Sequence, residues 1–260
     1  MANIAYKNYF NPKTVAERYL KGRPQYHSFV VGKIKESLAI KKPFSLTLDI
    51  GCGTGFSSVA LKEISEQVIG IDLSAEMIDL AIEERGVEYI VSSAESLPLF
   101  NQRFDLITVS QAIHWIDRNK FFLEADRILN PKSFIIAYDN YFLGKISDNA
   151  EFNIWFKQVF LQNHPTPPRA KRDFAKESEN PKDFVLVKED WHENTIAFSK
   201  QQLIDYLITM TNVINSVENG GRSIDEVVDW LTGETETFFA GKEKNNFVFT
   251  APIWYLKQSK

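Results

Sequence analysis

The chain holds one cysteine, Cys52, in 260 residues. No intrachain disulfide is available, and a reducing, cytoplasmic setting is the expectation. Cys52 has no histidine beside it in sequence, so it reads as a small packing residue rather than a nucleophile. Long apolar runs are missing too. Nowhere do about 18 apolar residues follow one another, so no membrane-spanning helix is expected. The first residues, Met-Ala-Asn-Ile-Ala-Tyr-Lys, lack a basic stretch leading into an apolar one, which argues against a signal peptide. Positive charge is not in excess: 30 Lys and Arg face 34 Asp and Glu, for a net charge of −4. A global nucleic-acid-binding surface is therefore not expected. Paired carboxylates, a metal-ligand cluster, a hydrolase triad, internal repeats and low-complexity tracts do not stand out either.

What is present is an ordinary apolar content of 44%, in a chain long enough for one α/β domain with insertions or a lid. Its organising stretch is residues 45–56, Ser-Leu-Thr-Leu-Asp-Ile-Gly-Cys-Gly-Thr-Gly-Phe. Leu46, Leu48 and Ile50 alternate with smaller or polar residues, as in a short strand. Gly51, Gly53 and Gly55 permit a tight turn and close approach of a ligand to the backbone. Phe56, Val59, Ala60 and Ile64 follow at helical spacing. Open α/β sheets hold nucleotide-sized cofactors at such a strand–turn–helix junction. Two features narrow the cofactor. The dinucleotide fingerprint needs a glycine where Phe56 stands, and no Gly-Lys-Ser/Thr follows. Asp49, expected at the mouth of the turn, would oppose a pyrophosphate but tolerate a cationic centre.

Along the chain, Tyr26 to Leu38 reads as a helix, preceded by a bend at Gly22 and Pro24. Residues 67–73, 87–91, 104–109 and 133–139 read as further strands, separated by helical patterns. Five alternations argue for a parallel sheet covered on both faces. Asp72 ends the second strand about 20 residues beyond the turn, where a carboxylate accepts from two ribose hydroxyls. After Asp139 the rhythm breaks. Phe152 to Phe160 reads as a helix with an aromatic face, either core or a lid over the cofactor crevice. Arg169, Lys171 and Arg172 form a small basic cluster, either solvated or touching an anionic substrate. Phe184 to Phe198 reads as a sixth strand, and Asn246 to Leu256 as a last one. Between them, Ser199 with Gln202 and Ser223 with Glu226 are capping boxes that open helices.

The stretch Asp49-Ile-Gly-Cys-Gly-Thr-Gly55 resembles the first motif of class I S-adenosylmethionine-dependent methyltransferases. Gly70-Ile-Asp-Leu-Ser74 resembles the second, and Ser93-Ala-Glu-Ser-Leu-Pro98 a third, with Ser93 where members commonly carry aspartate. Gln111-Ala-Ile-His-Trp115 is similar to a segment of small-acid methyltransferases of the trans-aconitate type, and Arg23-Pro-Gln-Tyr26 resembles the entry segment of small-molecule methyltransferases. The resemblance implies a Rossmann-like, seven-stranded, mostly parallel sheet with helices on both faces, an antiparallel closing strand and a helical lid insertion. It implies one methyltransferase domain over 1–260: an arm and helix at 1–43, a cofactor core at 44–139, a lid at 140–183, and sheet completion at 184–260 with a helical insertion at 199–240. It implies S-adenosylmethionine as cofactor, and a small-molecule acceptor with neither nucleic acid nor membrane as partner. The cofactor residues implied are Asp49, Gly51, Cys52, Gly53, Asp72, Leu73, Met77, Ser93, Ala94, Glu95, Ser110, Gln111 and Arg23. His114, Trp115 and Tyr26 are the candidates on the acceptor side, with no metal ligand expected. A cofactor-binding protein without transferase activity, or a partner subunit, is the alternative. A dinucleotide oxidoreductase is disfavoured by Phe56 and Asp49.

Overall fold

Buried apolar strands alternate with short helices through the first half of the chain. The structure, a computed structural model, describes residues 9–10, 12–101, 103–167 and 184–258. The expected basic cluster Arg169, Lys171 and Arg172 lies outside the described residues. In chain order the strands are β1 Phe44–Ile50, β2 Ser65–Asp72, β3 Val87–Val91, β4 Phe104–Ser110, β5 Leu129–Tyr138, β6 Tyr141–Ile146, β7 Phe184–Phe198 and β8 Asn245–Gln258. The helices are α1 Lys13–Gly22, α2 His27–Ser37, α3 Phe56–Ala60, α4 Ala75–Asp79, α5 Arg118–Ile128, α6 Ala150–Trp155, α7 Leu161–Asn163, α8 Lys200–Leu207, α9 Thr211–Glu218 and α10 Ile224–Thr235. The strand order is β3-β2-β1-β4-β5-β8-β6, with β7 paired to β8 off this path.

The chain divides into two units. One comprises Gln25–Asn140, Arg169–His192 and Ala251–Lys260. In it β1 to β5 pair in parallel, and the second half of β8 runs antiparallel to β5, with Ala137 opposite Trp254. The central strands are buried on both faces, which is why β1 and β4 bury Thr47, Asp49 and Thr108 as well as Leu48, Ile50 and Leu106. Because the five strands are parallel, their carboxyl ends lie along one edge. Strand order reverses between β1 and β4, the switch point at which open α/β sheets bind ligands.

The other unit comprises Met1–Pro24, Tyr141–Pro168 and Glu193–Thr250. The first half of β8 pairs antiparallel with β6 here. Its core is strongly aromatic. Phe152, Trp155, Phe156 and Phe160 are buried with Phe198, Tyr206, Phe247 and Phe249. The aromatic helix is thus α6, a π-helical turn at Phe156–Phe160 and α7, and its aromatic face is core. Both capping boxes form, at Ser199 and Ser223.

The Rossmann-like, mostly parallel sheet is as expected, with one further strand, β6, whose pairing slips between Phe142 and Lys145 and leaves too short a run to read. The bend falls where α1 ends at Gly22, between it and α2, while Arg18 to Lys21 are helical, with Val15 and Ala16 burying one face of α1. The helices after β1 and β2 are only five residues each, because apolar spacing continues past the point where the backbone turns out.

Candidate functional site: the carboxyl edge of the parallel strands

The glycine turn follows β1 directly. Gly51 and Gly55 have φ of 66° and 85°, a left-handed backbone that side chains rarely adopt. A Cβ on Gly51 would lie 2.4 Å from the Ala112 Cβ, and one on Gly55 would lie 2.2 Å from the Tyr89 hydroxyl. At these two positions the missing side chain lets the protein close on itself. The Gly51 and Cys52 N–H groups donate to the Ile71 carbonyl at 2.8 and 3.0 Å, tying the turn to β2.

Asp49 departs from its expected place at the mouth of the turn. Its carboxylate is fully buried and accepts from Ser57 at 2.5 Å, Ser58 at 2.7 Å and Thr108 at 2.9 Å. Burial pushes its pKa up to about 6, against the lowering effect of those three hydroxyls. It staples the start of α3 to β1 and β4. Cys52 is buried as well, and burial first, then the Asp49 and Asp72 charges, raises its thiol well above the ordinary value. That is an unreactive thiol.

Asp72 accepts from the Gly53 N–H and from the Ser74 N–H, each at 2.9 Å. One bond falls on each oxygen, so each keeps a lone pair for a ribose hydroxyl. Burial raises its pKa despite these donors. Leu73 beside it is 64% exposed, an apolar side chain with no core to fill. Met77 is buried, and its N–H donates to the capping Ser74 at 3.2 Å.

After β3, the Ser93 hydroxyl donates to the Glu95 carboxylate and accepts from the Glu95 N–H at 3.2 Å. The other Glu95 oxygen accepts from the Asp117 N–H at 2.8 Å, fixing the start of α5. Ser93 and Glu95 therefore hold each other, and Ala94 is buried between them.

The ends of β4 and β5 and the start of α2 come together. Tyr26 Oη lies 3.1 Å from Ser110 Oγ and accepts from Gln111 Nε2 at 2.5 Å. Gln111 has φ of 51°, uncommon for a residue with a side chain, and its N–H donates to the Tyr138 carbonyl at 2.9 Å. His27 Nδ1 lies 3.0 Å from the Tyr138 hydroxyl, and the Tyr26 and His27 rings stack at 4.1 Å. His114 and Trp115 sit in the next turn with ring centroids 4.7 Å apart, His114 buried and Trp115 half-buried. His27 and Tyr138 were not among the expected site residues. No motif marks them, since only the fold brings the fifth strand's end to the second helix. Arg23 is in the other unit, where it donates to the Thr209 carbonyl at 3.0 Å and lies over the Tyr19 and Tyr206 rings.

This edge offers a diol acceptor at Asp72 and an exposed apolar platform at Leu73, while the turn's Gly51, Cys52, Gly53 and Gly55 N–H groups are taken by Ile71, Asp72 and Cys52. It suits the sugar and base of a nucleoside. Residues 48–137 match the family described as a methyltransferase domain. A Dictyostelium discoideum protein named as a methyltransferase is 33% identical over 149 residues, covering 57% of this chain and 56% of that protein. A malonyl-[acyl-carrier protein] O-methyltransferase of Hamiltonella defensa is 31% identical over 113 residues, 43% of each. The chain spans about half the length of these relatives. Among solved structures, an Anaeromyxobacter dehalogenans protein named as a type II methyltransferase matches with a TM-score of 0.64 at 21% identity, over 91% of this chain and 96% of that one. Phosphoethanolamine N-methyltransferase 2 of Haemonchus contortus, solved with S-adenosyl-L-methionine, matches with a TM-score of 0.52 at 16% identity, over 96% of this chain and 60% of that one. These two are likenesses of fold.

The fold is that of solved methyltransferase structures, and the stretch around the site matches a methyltransferase domain. The matched stretch, residues 48–137, runs from the glycine turn through Asp72 to the ends of β4 and β5. No described helix is long and apolar enough to cross a membrane.

Proposed function

We propose that the chain transfers a methyl group from S-adenosylmethionine to a small acid, at a carboxylate oxygen. The carrying observation is the set of hydrogen-bond donors at the ends of β4 and β5. Gln111 donates to Tyr26; with Tyr26 donating to Ser110, the Ser110 O–H is left to point at an anionic oxygen. The relative named for O-methylation of a malonyl group supports the same acceptor chemistry. When bound, S-adenosylmethionine supplies a methyl carbon made electrophilic by its sulfonium. The residues of this chain align the reactants and exclude water. Asp72 holds the ribose, Leu73 covers the adenine, Ser110 and Tyr26 orient the acceptor, and Trp115 walls it with His114 behind. A carboxylate has no proton to lose, so no general base is required.

The test is incubation of purified protein with methyl-labelled cofactor and a panel of mono-, di- and tricarboxylic acids. Base-labile methyl esters formed together with S-adenosylhomocysteine are the expected result. Cofactor binding by calorimetry with no ester from any acid would refute this acceptor. That outcome favours the second reading, a cofactor-binding subunit that acts with a partner. The engagement of Ser93 by Glu95, which leaves the adenine edge a weaker acceptor than aspartate, is the observation behind it.

A further inference from the structure

We propose that His27 is a positioning residue for the donors Tyr26 and Gln111, acting through the Tyr138 hydroxyl. The inference rests on reading this edge as the acceptor side. Four residues close a ring of contacts. Tyr138 accepts the Gln111 N–H at its carbonyl, and Gln111 donates its side-chain amide to Tyr26. Tyr26 stacks on His27, and His27 Nδ1 returns to the Tyr138 hydroxyl at 3.0 Å. The members come from three places in the fold: the end of β5, the residue after β4, and the consecutive residues Tyr26 and His27 at the start of α2.

A closed ring constrains more than the same bonds in a line, because no member can shift without displacing two others. Two features give it work to do. Gln111 is held at φ 51°, which persists only where surrounding contacts fix it. Tyr138 is fully buried, so its hydroxyl needs fixed partners, and His27 Nδ1 supplies one. Half-buried His27 is thus the side chain through which the start of α2 sets the height of the Tyr26 hydroxyl.

The experiment compares His27→Ala, His27→Asn, His27→Gln and Tyr138→Phe. Asparagine places a polar atom where Nδ1 stands; glutamine places one where Nε2 stands. With the acid that the wild type esterifies, His27→Ala, His27→Gln and Tyr138→Phe are expected to lower kcat by about tenfold or more, since small misplacements of reacting groups are costly. His27→Asn is expected to recover most of that loss, and the Kd for S-adenosylhomocysteine to stay within about twofold throughout. Equal loss in all three His27 variants, or no loss in His27→Ala, would overturn the proposal. A second readout needs no acceptor: nitrogen NMR of the His27 ring. Its Nδ1 resonance is expected to move in Tyr138→Phe and also in Gln111→Ala, although Gln111 reaches His27 only around the ring. If Gln111→Ala leaves it unmoved, the ring is not coupled and the proposal fails, whatever acceptor the wild type uses. If the wild type esterifies none of the acids while Nδ1 moves as expected, the acceptor reading fails and the positioning pair stands.

Discussion

At the scale of single residues, the site is built by carboxylates with different duties. In the proposed reading Asp72 holds the ribose, and Asp72→Ala should then weaken S-adenosylmethionine binding by about 1.5–3 kcal/mol, the worth of hydrogen bonds to a charged group. Calorimetry checks this, and unchanged affinity would remove Asp72 from the site. Asp49 instead carries a buried charge for the turn. Its folded pKa of about 6 lies above the ordinary carboxylate value, so the folded state binds its proton more tightly. The cost of ionising it is complete above pH 6 and disappears below about 3.8. The wild type should therefore gain on Asp49→Asn as pH falls from 7 to 4, by up to about 3 kcal/mol. Urea melts of both proteins across that range measure it. Asp49 was legible as an acid in the turn, yet its burial was not. Sequence places it two residues before Gly51, while its three hydroxyl partners come from α3 and β4.

At the scale of elements, short helices depend on their ends. Ser199 accepts from the Gln202 N–H at 3.3 Å while Gln202 answers on the Ser199 N–H at 2.9 Å, and Ser199→Ala should cost about 1 kcal/mol in a thermal melt. These boxes were readable because capping is local: both partners lie within one turn. His164, just after α7, is an element-scale group that was not readable. Its Nδ1 meets Ser216 Oγ at 2.9 Å, its ring lies 5.5 Å from that of Trp230, and Nε2 has no hydrogen-bond partner among the described residues. Burial, reinforced by the Arg222 charge, pushes its pKa down to about 4. The folded state keeps it neutral, so its contribution is complete above pH 6.5 and is lost as pH falls towards 4. His164→Phe should lose less stability than the wild type between those limits, read from urea melts at pH 7 and pH 4.5.

At the scale of the whole molecule, each unit is assembled from three separate stretches of chain. The first unit's sheet is closed by Ile253 to Lys257 pairing with Phe134 to Tyr138. Deleting residues 251–260 would leave buried Ile135 and Ala137 on an open strand edge. Loss of cooperative unfolding and aggregation on size exclusion are the expected outcome. The aromatic unit has a core of its own, and Phe152→Ala should cost about 3–5 kcal/mol there.

The sequence by itself determined the parallel sheet, the glycine turn and the place of Asp72 at the end of β2. Each depends on residues close together in the chain, and β3 was readable to the residue because its apolar run is bounded on both sides. Only the tertiary structure decided that Phe152 to Phe160 face a core, that Asp49 is buried under three hydroxyls, and that Tyr26, His27, Gln111 and Tyr138 close a ring. Those facts join residues tens of positions apart. Local periodicity fixes which face of an element is apolar, while the strand order and the crossovers select what that face meets.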